Sequence, residues 1–274
     1  MDLKNVRSLL VDETRLTMAS LISRAPISAK AQALRDLSRL FQAVGICQLL
    51  VDANTEKFHE NLVRSGHVRR YYLRRSQSEA STTDHFLGLS RVEAVFDVYV
   101  ANRLDLVRDI DALSTDAWHL GWEYEDDFCY YLFMQRVLLL HDFLSTSECN
   151  DLLLQFDRSL EGGPSLRLDM CLALRDRDAT ALRSTLELFL QQRQMALDKR
   201  RDELTEYTSD AIFWPQSYVC VEALAWLKLT KSLGLALGDG YLFCPSEALS
   251  VSSSQMPVED LFESLDEALA EPES

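Results

Sequence analysis

Apolar positions recur at three- and four-residue spacing along most of this chain, and that period predicts helices. Over 3–24 they are Leu3, Val6, Leu9, Leu10, Leu16, Leu21 and Ile22, and the pattern stops before Pro26. Ser28 reads as the N-cap of a second helix to about Asp52, with Ala33, Leu34, Leu37, Leu40, Phe41 and Val44 inward. Asn54 caps a third, whose last turns are basic from Arg64 to Arg75. The polar run SQSEASTTD reads as a loop. Asp84 is expected to open a helix that aligns Phe86, Leu89, Val92, Val95, Phe96 and Tyr99. Between 102 and 127 the chain turns polar, aromatic and acidic, as a short helix and a turn at Gly121. The strongest apolar segment, 128–144, is hydrophobic nearly all round and is expected to be the central buried helix. Ser147 begins a helix that stops at Gly162-Gly163-Pro164, and two more fill 165–206 with a break at Asp176–Asp178. After Trp214-Pro215 comes a helix over 217–233, with Gly234 just past its end.

The fold expected is therefore all-α, antiparallel helices in a layered or solenoid-like stack. Residues 1–249 read as one helical domain with a possible subdivision near 76–83. SVSSSQ, within 250–256, reads as a linker. Residues 257–274 read as a flexibly linked acidic amphipathic helix, with Val258, Leu261, Phe262, Leu265 and Leu269 on one face. Composition agrees: 9 Gly and 6 Pro in 274 residues are too few for the turns of an all-β fold.

Charge narrows the partners. With 43 acidic against 28 basic side chains the net charge is −15, a field that repels phosphate backbones and anionic lipid. Neither nucleic acid nor membrane is expected as a partner, whereas a protein with a basic surface is. No secretory leader or membrane-spanning stretch is read, and the 6 cysteines are scattered without a C-x-x-C pair. Free thiols in a cytoplasmic protein are expected.

Candidate chemistry is thin. His119 and Glu123 share an i, i+4 spacing, but no second ligand set completes a metal site. The 5 histidines fall in no nucleophile signature, and no Gly-rich phosphate loop is present. No catalytic residue, metal or cofactor is expected. The basic cluster Arg64–Arg75, with Tyr71 and Tyr72 inside it, is better explained by ion pairing to acidic segments than by nucleic-acid contact. The informative stretch is Asp116, Trp118, Trp122, Glu123, Glu125, Asp126 and Asp127. Acids ahead of an apolar helix offset its macrodipole, and acids beside indoles also suit a partner-facing surface. We take these seven residues as the candidate partner-binding site, with the acidic tail as its rival.

One further pattern carries a resemblance. RDRDATALRSTLELFLQQRQ, then FWPQSYVCVEALAWLKLTKSLGL and YLFCPSEAL, preceded by YEDDFCYYLFMQRVLLL, resembles the helical immunity 49-type family of bacterial polymorphic-toxin immunity proteins over about residues 120–250. The immunity proteins of polymorphic nuclease effectors share a similar aromatic helix and Tyr-Pro turn; the acidic tail after Leu249 belongs to neither pattern. The resemblance implies a protein that neutralises a cognate toxin by stoichiometric binding, with no catalysis of its own. A helical scaffold or adaptor, and an enzyme with a spatially assembled site, are the alternatives.

Overall fold

A computed structural model describes residues 2–23, 25–79, 84–91, 93–204, 210–250 and Phe262. Among these the secondary structure is α-helix and short 3-10 turns, with no strand. The helices are α1 (Leu3–Leu21), α2 (Ile27–Asp52), α3 (Thr55–Ser78), α4 (Ala94–Val100), α5 (Leu104–Leu113) and α6 (Glu125–Leu139). They continue as α7 (Ser147–Ser159), α8 (Leu166–Arg175), α9 (Ala179–Glu203), α10 (Phe213–Gln216) and α11 (Val221–Ser232). The expected all-α layered packing is what the chain adopts.

Side-chain caps set several boundaries. Asn54 accepts from the Lys57 amide, Thr146 from Cys149, Ser165 from Leu168, and Asp178 from Thr180 and Ala181, each meeting a donor that the first helical turn leaves open. Ser28 is not a cap: α2 begins at Ile27 with Pro26 at the N-cap, whose fixed φ suits the extended entry.

Two glycines bring α3 close to its neighbours. A Cβ on Gly45 would lie 3.0 Å from the Phe58 carbonyl oxygen, and one on Gly66 would lie 2.0 Å from Val98 Cγ1. The backbone of α3 is thereby pressed between α2 and α4. Across the first contact, Ser38 and Ser65 hydroxyls meet at 2.7 Å.

Helix α6 is the buried centre, with Phe128, Tyr130, Phe133, Met134 and Val137 all inside. It is shorter than the apolar run suggests. Leu140 leaves the helix in extended conformation, and a 3-10 turn over His141–Ser145 folds Phe143 back toward Phe133, ring centroids 6.2 Å apart. The helix expected from Asp84 is likewise broken into 3-10 turns at His85–Leu87 and Leu89–Arg91 before α4. Side chains intercept its backbone: Arg69 donates to the carbonyls of Phe86, Leu87 and Gly88, and Glu123 accepts the amides of Leu89 and Ser90. Those groups have no need of a helical ladder.

The main core runs from Leu21 through Ala248 and includes Phe262. A smaller cluster joins Val6 and Leu10 of α1 to Leu40, Ala43, Val44 and Cys47 of α2 and to Ile212. The sequence expectations for the linker and tail lie outside the described residues, apart from Ser250 and Phe262. Phe262 is 2 % exposed and stacks on Tyr71 with centroids 4.7 Å apart. All 6 cysteines are buried free thiols. In the basic cluster, Arg64 pairs with Glu60, Arg70 with Asp109 and Arg75 with Glu79, as ion pairing requires. No described helix is long and apolar enough to cross a membrane.

Candidate functional site

The loop between α5 and α6 is a closed hook rather than a loose connection. Trp118 Nε1 donates to the Glu123 carbonyl at 3.1 Å, and the Trp122 amide donates to the His119 carbonyl at 3.1 Å. Gly121 makes the turn at φ +90°, a conformation other residues rarely adopt. The hook is braced from below. Glu123 is only 6 % exposed, its Oε1 accepting from Leu89 N at 2.8 Å and its Oε2 from Ser90 N at 2.7 Å. Arg91 Nε donates to the Trp122 carbonyl at 2.5 Å. What this frame lifts into solvent is apolar: Leu120 is 86 % exposed and Tyr124 78 %.

The seven predicted residues therefore divide by role. Asp116 is exposed, and Trp118, Trp122 and Asp126 are half-buried. Glu125, Asp126 and Asp127 occupy the first turn of α6, where carboxylates offset the helix dipole. Glu125 accepts from Gln155 Nε2 at 2.8 Å, and Asp127 accepts from Arg167 Nη1 at 3.1 Å. Glu123 and Asp127 are thus fixed inside the protein's own framework. Leu120 and Tyr124, which the sequence reading did not select, carry the free surface.

Arg167 links the hook to the interior. Its Nε and Nη2 donate to Glu222 at 3.1 and 3.0 Å, and its guanidinium lies 4.5 Å from the centre of the Tyr130 ring. Tyr130 in turn donates to Glu222 at 2.6 Å and accepts from Trp226 Nε1 at 2.9 Å. Burial works most strongly against the Arg167 charge, but Glu222 and the neighbouring Tyr130 and Tyr131 together more than offset it, so its pKa stands above the usual value. Glu222 is the dominant partner. Asp127, the secondary one, keeps a carboxyl raised by burial despite the pull of Arg167. Glu222 and Trp226 both belong to the VEALAWL segment.

Behind the hook lies a polar cleft of about 220 Å³. One stripe of α2 supplies Arg35, Ser38, Arg39 and Gln42, an i, i+3, i+4, i+7 set that shares a helix face. Opposite stand Ser90 and Arg91, the start of α4 with Glu93 and Asp97, Arg193 of α9, and the 216–222 segment. Its floor is a hydrogen-bonded chain. Arg193 Nη2 donates to the Gln216 carbonyl (2.6 Å), Gln216 Nε2 to Gln42 Oε1 (2.6 Å), and Gln42 Nε2 to Asp97 Oδ1 (2.7 Å). Ser65 Oγ closes it on Asp97 Oδ2 at 2.5 Å. Desolvation pushes the Asp97 carboxyl up to about 7 against these two donors. Glu93 is also raised, by desolvation first and by Glu222 next, against Arg167, Arg193 and Arg39. Glu93 is exposed to the water of the cleft, which moderates that rise.

Among the described residues no group of three or more His, Cys, Asp or Glu side chains is placed to hold a metal ion. Comparison with family models, with curated proteins and with solved structures finds no match to this chain.

Proposed function

We propose that this chain is an immunity protein that binds a cognate toxin domain stoichiometrically, using the hook between α5 and α6 as its toxin-facing surface. The observation that carries this reading is the braced exposure of Leu120 and Tyr124 beside Asp116, Trp122 and Asp126. Large apolar side chains held rigidly in solvent have no role in the fold of the isolated chain, and interface anchors are of this kind. The acidic surround and the net charge of −15 favour a partner with a basic surface and speed its encounter. Such a protein works by occlusion and needs no cofactor. The resemblance over 120–250 points the same way.

The test is co-expression with the product of a toxin-like reading frame found beside the gene, scoring growth. The parent chain should restore growth. A variant with Leu120→Ser, Tyr124→Ser and Asp116→Lys should keep its circular dichroism and lose the rescue, because none of the three side chains supports the frame. Equal rescue by that variant removes the hook from the interface, and no rescue by the parent removes the immunity reading.

A further inference from the structure

Four guanidinium groups line the cleft, and none has a carboxylate within ion-pair distance among the described residues. Among the described residues Arg35 has only the Phe86 ring, 5.8 Å away, and Arg39 makes no hydrogen bond. Arg91 and Arg193 bond to the carbonyls of Trp122 and Gln216. Elsewhere in this acidic chain arginines find acids readily, as Arg136 does with Asp111 at 2.9 Å and Arg167 with Glu222 at 3.0 Å. Glu222 faces the cleft but is held by Arg167, and Asp97 is held by Gln42 and Ser65. Only Glu93 is left as a counter-charge. Like charges gathered in one concavity repel, and an anion placed among them removes that cost.

Two atoms indicate unused donor capacity. The Nε of Arg35 and the Nε of Arg193 are buried with no hydrogen-bond partner. A guanidinium presents five donors in a fixed fork suited to carboxylate or phosphate oxygens, and these two forks are only partly occupied.

We propose that this cleft binds a compact polyanion, a small phosphate-bearing or polycarboxylate molecule, gripped by Arg35, Arg39, Arg91 and Arg193. Size and lining narrow the class. The volume of about 220 Å³ equals the liquid space of roughly seven waters, enough for an anionic group on a short skeleton and too small for a nucleic-acid strand. Among the described residues no aromatic ring lines the cleft, so none offers a base a stacking platform. Ser38, Ser90 and Gln42 supply neutral polar contacts. This inference does not depend on the toxin-binding reading, because the hook and the cleft present different side chains to solvent.

The experiment is calorimetric titration of the full-length protein with pyrophosphate, inorganic phosphate and citrate, each against sodium chloride at matched ionic strength. Saturable one-to-one binding of at least one probe is expected. Arg39→Gln should weaken it at least tenfold, and Arg39→Lys should recover part of it. Arg39 makes no ion pair or hydrogen bond among the described residues, so both variants should keep the parent's circular dichroism, and Arg35→Gln provides a second loss-of-charge variant. A preference for pyrophosphate over citrate assigns a phosphate ligand, and the reverse a polycarboxylate. The proposal fails if no probe saturates up to about 10 mM, a range that covers even weak sites. It also fails if binding matches that of chloride, or if Arg39→Gln and Arg35→Gln both bind like the parent.

Discussion

Replacing Asp97 with Asn should make the protein more stable at neutral and alkaline pH, and the gain should vanish toward acid. Asp97 is 2 % exposed, and its carboxyl is raised from 3.8 to about 7, chiefly by desolvation. The folded state therefore holds this proton more tightly than the unfolded chain does. Relative to the unfolded chain the group stabilises most below pH 3.8, and that contribution is lost as pH rises toward about 7. A rise of about three pH units at roughly 1.4 kcal/mol each makes the full span about 4 kcal/mol. Asn copies the protonated acid without titrating. Its carbonyl can accept from Gln42, and Ser65 can turn its hydroxyl toward Ser38 to receive the new amide. Urea unfolding of parent and variant, followed by circular dichroism at about pH 5 and about pH 8, tests this. Differencing the two proteins cancels the other carboxylates. The variant's advantage should grow by about 3 kcal/mol between those pH values. A difference that is flat with pH would show that Asp97 is ionised throughout and the reasoning wrong.

Three other substitutions probe the frame. Gly66→Ala should destabilise by about 2 kcal/mol in urea titration despite the helix propensity gained, because the new methyl meets Val98 on the facing helix; Val98→Ala in the same chain should restore much of the loss. Arg69→Met should cost about 3 kcal/mol, since it strips donors from three successive carbonyls, and hydrogen exchange should quicken first over 85–91. Glu222→Ala should cost about 3–5 kcal/mol by stranding the Arg167 charge, whereas Arg167→Met with Glu222→Leu should recover most of it. Unfolding midpoints read all of them.

The helices were legible where apolar period and caps coincide, as at Asn54, Ser165 and Asp178. They were misread where distant side chains took over the backbone. Nothing within 84–100 announces that Arg69 and Glu123 will satisfy its carbonyls and amides, so a broken segment read as one helix. The hook was half legible. Acids and indoles drew notice, but which carboxylates turn inward is decided by the 3-10 turns over 85–91 and by Arg167, both remote in sequence. The cleft left a fainter trace that was present all the same. Asp97 is a lone carboxylate in AVFDVYV, Glu222 another in VEALAWL, and Arg35, Ser38, Arg39 and Gln42 form a polar stripe on α2. A stripe of that kind normally faces water. The 90–97 segment, Arg193 and the return of the chain at 216–222 wall it into a concavity.

The small cluster of Val6, Leu10, Leu40, Val44 and Ile212 has a consequence in time. Its last member follows Leu10 by about 200 residues, which a ribosome adding roughly 5–20 residues per second needs some 10–40 s to deliver. Throughout that interval α1 and α2 can pair, but the apolar seam they share with Ile212 stays uncovered. The final seal on the amino-terminal pair is thus set by translation rather than by collapse. A nascent chain stalled before residue 212 should keep this seam available to a chaperone that one stalled well beyond it would no longer engage.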